Sequence, residues 1–208
     1  VNIRDFTQNK HKKTDDTPFG GGAGMVMSAQ PVFDALRSVD AQDKRILYMS
    51  PRGRKLDRDL VTDLAAEENL VILCGHYEGI DERIIDFWKP EEISIGDYIL
   101  TGGELAAMVV VDAVARMIPS VLGNQESHME ESVYSGLIEY PQYTKPRVYE
   151  EMEVPEVLLS GNHKLIHLWK FEKACEITKE RRPDLWEAFV RDLSSLTKDE
   201  RKIVARLR

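Results

Sequence analysis

Three short segments place glycine and polar side chains directly after strand-like runs. They are Ser50-Pro51-Arg52-Gly53, Gly75-His76-Tyr77-Glu78-Gly79 and Ser94-Ile95-Gly96-Asp97-Tyr98. Glycine lets a backbone approach a ligand closely and present its N–H and C=O groups. In a parallel sheet, loops at the carboxyl ends of the strands gather on one edge, where ligands bind. Taken singly, each segment reads equally well as an ordinary turn between strand and helix. Taken together, they could form a pocket for a flat, polar ligand such as an adenine nucleoside. A second group of residues could move protons. Glu126, Glu130 and Glu131 lie in NQESHMEES, downstream of Arg116. Loop carboxylates are usually just solvated, but one beside a cleft can act as a general base.

Other motifs fail on spacing. GGGAGM at 20–25 has Met25 where a dinucleotide fingerprint needs glycine, and no phosphate-binding G-x-x-x-x-G-K-[ST] occurs. His163 and His167 stand four apart, but Lys164 holds the place of a zincin glutamate, so they read as helix-surface histidines. Cys74 and Cys175 are too far apart for a metal pair and suggest no disulfide framework. A reducing cytoplasm is the expected setting. No run is long and apolar enough to span a membrane.

The elements that must carry these residues follow from periodicity. Residues 44–50 and 70–75 read as strands around an amphipathic helix over 56–69, a βαβ unit and hence a parallel sheet. Residues 91–100 read as a further strand. Residues 102–118 read as a helix apolar around most of its circumference, which belongs in a core or a subunit interface. Beyond Pro119 the periodicity fades until the last third. There Pro183 opens a helix expected over 183–194, and Thr197 with Glu200 forms a capping box. The expected organisation is an α/β domain over 1–122, a linker over 123–137 and a small helical domain over 138–208.

The net charge of −8 argues against a general nucleic-acid binder, but the charge is unevenly placed. Residues 160–208 hold 12 Lys/Arg against 8 Asp/Glu, and the remainder holds 16 against 28. Such asymmetry can mark a face for a polyanion, or simply solvated helix surfaces.

GHYEGIDER, SIGDYILTGGEL, VARMIPSVLGN, YPQYTKP and VPEVLLSGNH occur here in that order. Together they resemble bacterial tRNA (guanine-N1)-methyltransferases of the SPOUT class. The resemblance runs from Arg4-Asp5-Phe6 to Arg182-Pro183. It implies a SPOUT-type parallel sheet with a deep trefoil knot, followed by a small all-helical C-terminal domain. It implies methylation of N1 of the guanosine at tRNA position 37, 3′ of the anticodon, with S-adenosylmethionine as donor. Two alternatives remain beside it: a SPOUT enzyme acting on a ribose 2′-oxygen, and a non-catalytic RNA-binding relic.

The resemblance assigns roles residue by residue. The donor would be held by Met49, Ser50, Pro51 and Gly53, by Gly75, Tyr77 and Glu78, and by Ser94, Ile95, Gly96, Asp97, Tyr98, Ile99, Leu100, Gly102, Gly103 and Ala106. Asp81, Glu82 and Arg83 would brace the fold or a dimer. Arg116 would be the cation near guanine O6. Counting on from Gly123, the family's aspartate base falls at Glu131, with Glu130 as the fallback. The extra methylene adds roughly 1.5 Å of reach. Ala106 replaces a family proline, which should loosen the start of its helix. Lys164, Lys170, Arg181 and Arg182 would meet tRNA phosphates. The family also uses Mg2+, although the sequence shows no metal-ligand cluster. It is a homodimer whose active site both subunits complete. The family's first strand and helix lie upstream of VNIRDF; if they are absent from the protein, the sheet is expected to lose a strand.

Overall fold

The structure is a computed structural model and describes residues 1–119, 121 and 136–208. It divides into two compact units, Val1–Gly123 and Asn124–Arg208. Most of the expected linker, residues 123–135, lies outside the described residues. Its last residue, Leu137, is buried in the core of the second unit.

The first unit is built on a parallel sheet of order β4-β3-β5, with β3 at Arg45–Lys55, β4 at Leu70–Cys74 and β5 at Glu91–Ser94. Side chains alternate between the faces of a strand. In β3, Ile46 and Tyr48 enter one core with Val32, Leu36, Leu73 and Ile84. Leu47 and Met49 enter the other with Leu60, Leu64, Ile93, Val110 and Val114. A central strand covered on both faces therefore shows the continuous apolar run of ILYM. Helices α1 (Ala29–Arg37) and α3 (Glu82–Trp88) cover the first face, and α2 (Arg58–Leu64) and α4 (Glu104–Met117) the second. Asp57 caps α2 by accepting from the Leu60 amide at 2.9 Å. Two residues of β1 (Asp15–Asp16) pair antiparallel with β2 (Val26–Met27).

Several expected boundaries move. The first strand continues past residue 50, because its pairing with β5 breaks at Met49 and resumes at Arg54. Residues 50–53 bulge out between these points. β5 stops at Ser94 rather than 100, because the Ser94 hydroxyl binds both the amide and the carbonyl of Gly96, whose φ is +152°. Helix α4 begins tightly at Glu104, with the Ala107 amide bonded to Gly103 O at 2.8 Å. Helices α1 and α3 carry no expectation from periodicity.

The second unit packs around Leu137, Ala174, Cys175, Trp186 and Val204. Among the described residues its helices are α5 (Glu156–Leu159), α6 (His163–Arg181), α7 (Pro183–Phe189) and α8 (Lys198–Leu207). It is not all-helical: β6 (Val148–Tyr149) and β7 (Met152–Glu153) form an antiparallel hairpin. Helix α7 ends earlier than expected. The Asp192 carboxylate accepts from the Ser194 amide at 2.9 Å, a local bond that competes with continuing the helix.

The capping box is present as expected. Glu200 accepts from the Thr197 amide and hydroxyl at 2.8 and 2.7 Å, and from His167 Nε2 at 2.9 Å. Burial pushes the Glu200 carboxyl up, but the bonds from Thr197 and His167 outweigh it and leave it below the usual value. A carboxyl lowered by folding stabilises at neutral pH, and that stability is lost as pH falls through its folded pKa. Glu200→Gln should therefore cost about 1–2 kcal/mol at pH 7. Thermal melts should show the gap to the parent closing as acid protonates Glu200. A gap independent of pH would remove the carboxylate from this role.

Candidate functional site

The bulge of β3, the loop after β4 and the segment after β5 meet at the carboxyl edge of the sheet. In the bulge, the buried Ser50 hydroxyl accepts from the Arg52 amide at 3.2 Å. Arg52 in turn pairs with Glu92 at 3.2 Å and with Glu82 at 3.6 Å. Gly53 is required by close approach: a Cβ there would lie 2.3 Å from the Glu92 carbonyl carbon.

The second loop runs from Gly75 to Gly79, with Tyr77 held at φ +58°. It lies along residues 25–27: the Glu78 amide donates to Met25 O at 3.1 Å, and the Met27 amide to Gly79 O at 3.0 Å. The Glu78 side chain covers Gly24, where a Cβ would stand 2.5 Å from it. GGGAGM, rejected as a dinucleotide fingerprint, thus supports the loop. Asp81 caps α3, accepting from the Arg83 amide at 3.0 Å and from the Arg83 guanidinium at 2.8 and 2.6 Å. That guanidinium, ahead of the opposing effect of burial, holds the Asp81 carboxyl low. Both residues thus hold the start of α3.

The third segment returns to the second. The Gly103 amide donates to Gly75 O at 2.9 Å, and His76 pairs with Gly102 as an isolated antiparallel bridge. His76 Nε2 lies 2.6 Å from Glu104 Oε1. Burial pushes the Glu104 carboxyl up, but His76 and a backbone amide overcome this and keep it lowered. Burial and the nearby Glu104 raise the Cys74 thiol, which makes it a poor nucleophile.

These walls enclose a cavity of about 410 Å³. Of the residues expected around the donor, Met49, Ser50, Pro51, Gly75, Tyr77, Glu78, Ser94, Ile95, Gly96, Tyr98, Ile99, Leu100, Gly102, Gly103 and Ala106 line it. Gly53 lies outside the lining, packed on the backbone of Glu92 and Ile93. Asp97 also lies outside, paired with Lys55 at 2.6 Å. Arg52 and His76, inside the expected glycine-bearing segments, line the cavity as well, as do Tyr48, Glu82 and Thr101, which carried no donor expectation. Tyr48 is mid-strand and gave no signal.

A larger cavity, about 690 Å³, opens beside the edge strand β4. Val32, Leu36, Val71 and Leu73 help to line it, and the bulge and third segment take no part. The smaller cavity is the better site, because three loops with polar backbone converge on it.

Arg116 stands in the last turn of α4. Glu126, Glu130 and Glu131 lie outside the described residues. Three of the four residues expected to meet RNA have partners within their own unit. Lys164 pairs with Asp199 at 3.0 Å, Arg182 pairs with Asp184 at 2.6 Å, and the Lys170 ammonium sits 4.6 Å from the centre of the Tyr140 ring. No group of His, Cys, Asp and Glu that could hold a metal occurs among the described residues. Among them, too, no helix is long and apolar enough to cross a membrane.

Fold and site together define an α/β protein with a cavity built by three loops at one edge of a parallel sheet. The chain belongs to the tRNA (guanine-1)-methyltransferase TrmD family, whose profile matches residues 1–188. It is similar to tRNA (guanine-N(1)-)-methyltransferases from several bacteria. The one from Clostridium acetobutylicum is 52% identical over 204 residues, covering 98% of this chain and 82% of the relative. The one from Alkaliphilus oremlandii is 54% identical over 198 residues, covering 91% and 80%. The one from Clostridium tetani is 50% identical over 206 residues, covering 99% and 84%. These likenesses do not favour the ribose-methylating or relic alternatives.

Proposed function

We propose that this protein methylates N1 of the guanosine at tRNA position 37, 3′ of the anticodon, with S-adenosylmethionine as methyl donor. The observation that carries the donor site is the convergence of the three loops on one cavity of about 410 Å³. Its volume lies within the roughly 300–1,000 Å³ of small-molecule sites. The fit is chemical as well. Tyr77, Tyr98 and Ile99 offer exposed apolar surface for an adenine and a thioether chain. Gly102 and Gly103 line the cavity where an added Cβ would press on His76 and Glu104 or on the backbone of Cys74 and Gly75. Glu78 offers a carboxylate to a cationic donor. The donor, when bound, supplies an electrophilic methyl on a sulfonium.

Guanine N1 carries a proton and is a poor nucleophile until it leaves. Glu131 takes that proton, and Arg116 stabilises the negative charge that develops at O6. The basic surplus of residues 160–208, including Arg181, supports tRNA binding by this part of the chain. A homodimer with a shared site is part of the reading. It is supported by α4, where Leu105, Met108 and Val111 are each more than half exposed. So is the trefoil knot, supported by the return of residues 102–103 across the loop at Gly75. The two free cysteines suit a cytoplasmic setting. A requirement for Mg2+ is part of the same reading.

The test is incubation with labelled S-adenosylmethionine and two tRNA transcripts, one with G and one with A at position 37. Label should enter only the G transcript and co-migrate with N1-methylguanosine after digestion. Label in ribose, or in both transcripts, would remove the assignment.

A further inference from the structure

Two walls of the donor cavity are joined by a side-chain pair that the reaction itself does not use. His76 lies in the loop after β4, and Glu104 opens α4. A carboxylate only accepts, so the 2.6 Å contact has His76 Nε2–H donating to Glu104 Oε1. The pair is part of a closed frame. The backbones meet through Gly103 N and Gly75 O at 2.9 Å and through the bridge between His76 and Gly102. Gly102 leaves the pair its room: a Cβ there would stand 2.5 Å from Glu104 Oε2 and 2.7 Å from His76 Cε1. On its other side the loop is anchored by the His76 amide, 3.3 Å from Met27 Sδ. The frame fixes the spacing between Tyr77-Glu78 and the adjoining Gly102-Gly103, all of which line the cavity.

We propose that His76 and Glu104 form a clamp that preorganises the donor loops, and that both are positioning residues for S-adenosylmethionine. This rests on the donor-site reading above. A clamp formed before binding lowers the ordering cost of the ligand. Side-chain exposures of 44% and 58% keep its effect moderate.

Calorimetry with S-adenosylmethionine tests the clamp on the full chain. His76→Ala and Glu104→Ala should each weaken donor binding about fivefold, the equivalent of about 1 kcal/mol for an exposed ion pair. The double variant should be no weaker than either single one, since the two side chains act as a unit. Glu104→Gln keeps a carbonyl acceptor and should recover most of the affinity. Steady-state rates should show a raised KM for the donor with kcat nearly unchanged. Unchanged affinity in both alanine variants, additive losses, or no recovery in Glu104→Gln would overturn the clamp. A parent protein that binds no S-adenosylmethionine would overturn the donor-site reading, and the clamp with it.

Discussion

Glu131→Ala is expected to lose about 100- to 10,000-fold in turnover while S-adenosylmethionine binds as in the parent. The split follows from the chemistry. The cavity proposed for the donor is built from the sheet edge and α4, whereas the proposed role of Glu131 begins only when guanine N1 gives up its proton. Arg116→Ala should cost about 100- to 1,000-fold by removing the charge that meets the oxyanion at O6. Single-turnover rates with saturating tRNA, beside calorimetry with the donor, separate chemistry from binding. Glu131→Asp tests reach: the family's own residue should retain most of the rate. If Glu131→Ala turns over normally, the base lies elsewhere, with Glu130 the next to test. A shared site adds a stronger expectation. An inactive Glu131→Ala subunit mixed with an inactive Gly103→Ala subunit should regain activity, because one of the two mixed sites has an intact cavity facing an intact linker. No recovery after subunit exchange would argue that each subunit works alone.

Gly53→Ala is expected to destabilise the first unit by about 3 kcal/mol and to abolish donor binding with it. The new Cβ would sit 2.3 Å from the Glu92 carbonyl carbon, and 2.4 Å from both Glu92 O and Ile93 N. These are backbone atoms of the neighbouring strand, so no rotamer change relieves the clash. β3 and β5 must part where the bulge of residues 50–53 closes. Ser50, Pro51 and Arg52 stand on that bulge, so the cavity loses a wall. Denaturant unfolding of the variant measures the stability cost. If the variant is too unstable to purify, comparison of its soluble yield at low and high temperature gives the direction. A variant as stable as the parent would show that the close approach of the two strands is not needed.

The legible parts of the protein are those set by neighbours along the chain. ILYM and LVILC are apolar without interruption because both faces of the parallel sheet are covered. Thr197 and Glu200 lie three residues apart and cap α8 through bonds that involve no other element. The glycine-bearing segments after the strands were visible for the same reason, and they line the cavity. Helix α1 was harder to see, because its short apolar face becomes significant only against Leu73 and Ile84 from other elements. The hairpin at residues 148–153 is four paired residues with exposed side chains, too short for an alternating pattern.

By itself, the sequence determined the βαβ core, the long helix α4, the loops that line the cavity and the family to which the chain belongs. Each rests on local periodicity, turn chemistry or motif order. Only the tertiary structure decided that Tyr48 underlies Gly75, that Gly24 carries Glu78, and that His76 meets Glu104 28 residues further on. It alone showed that β3 bulges before it rejoins β5. These pairings join residues distant along the chain, and no property of either partner announces the other. They exist because packing two faces of one sheet forces the three loops to share a single edge.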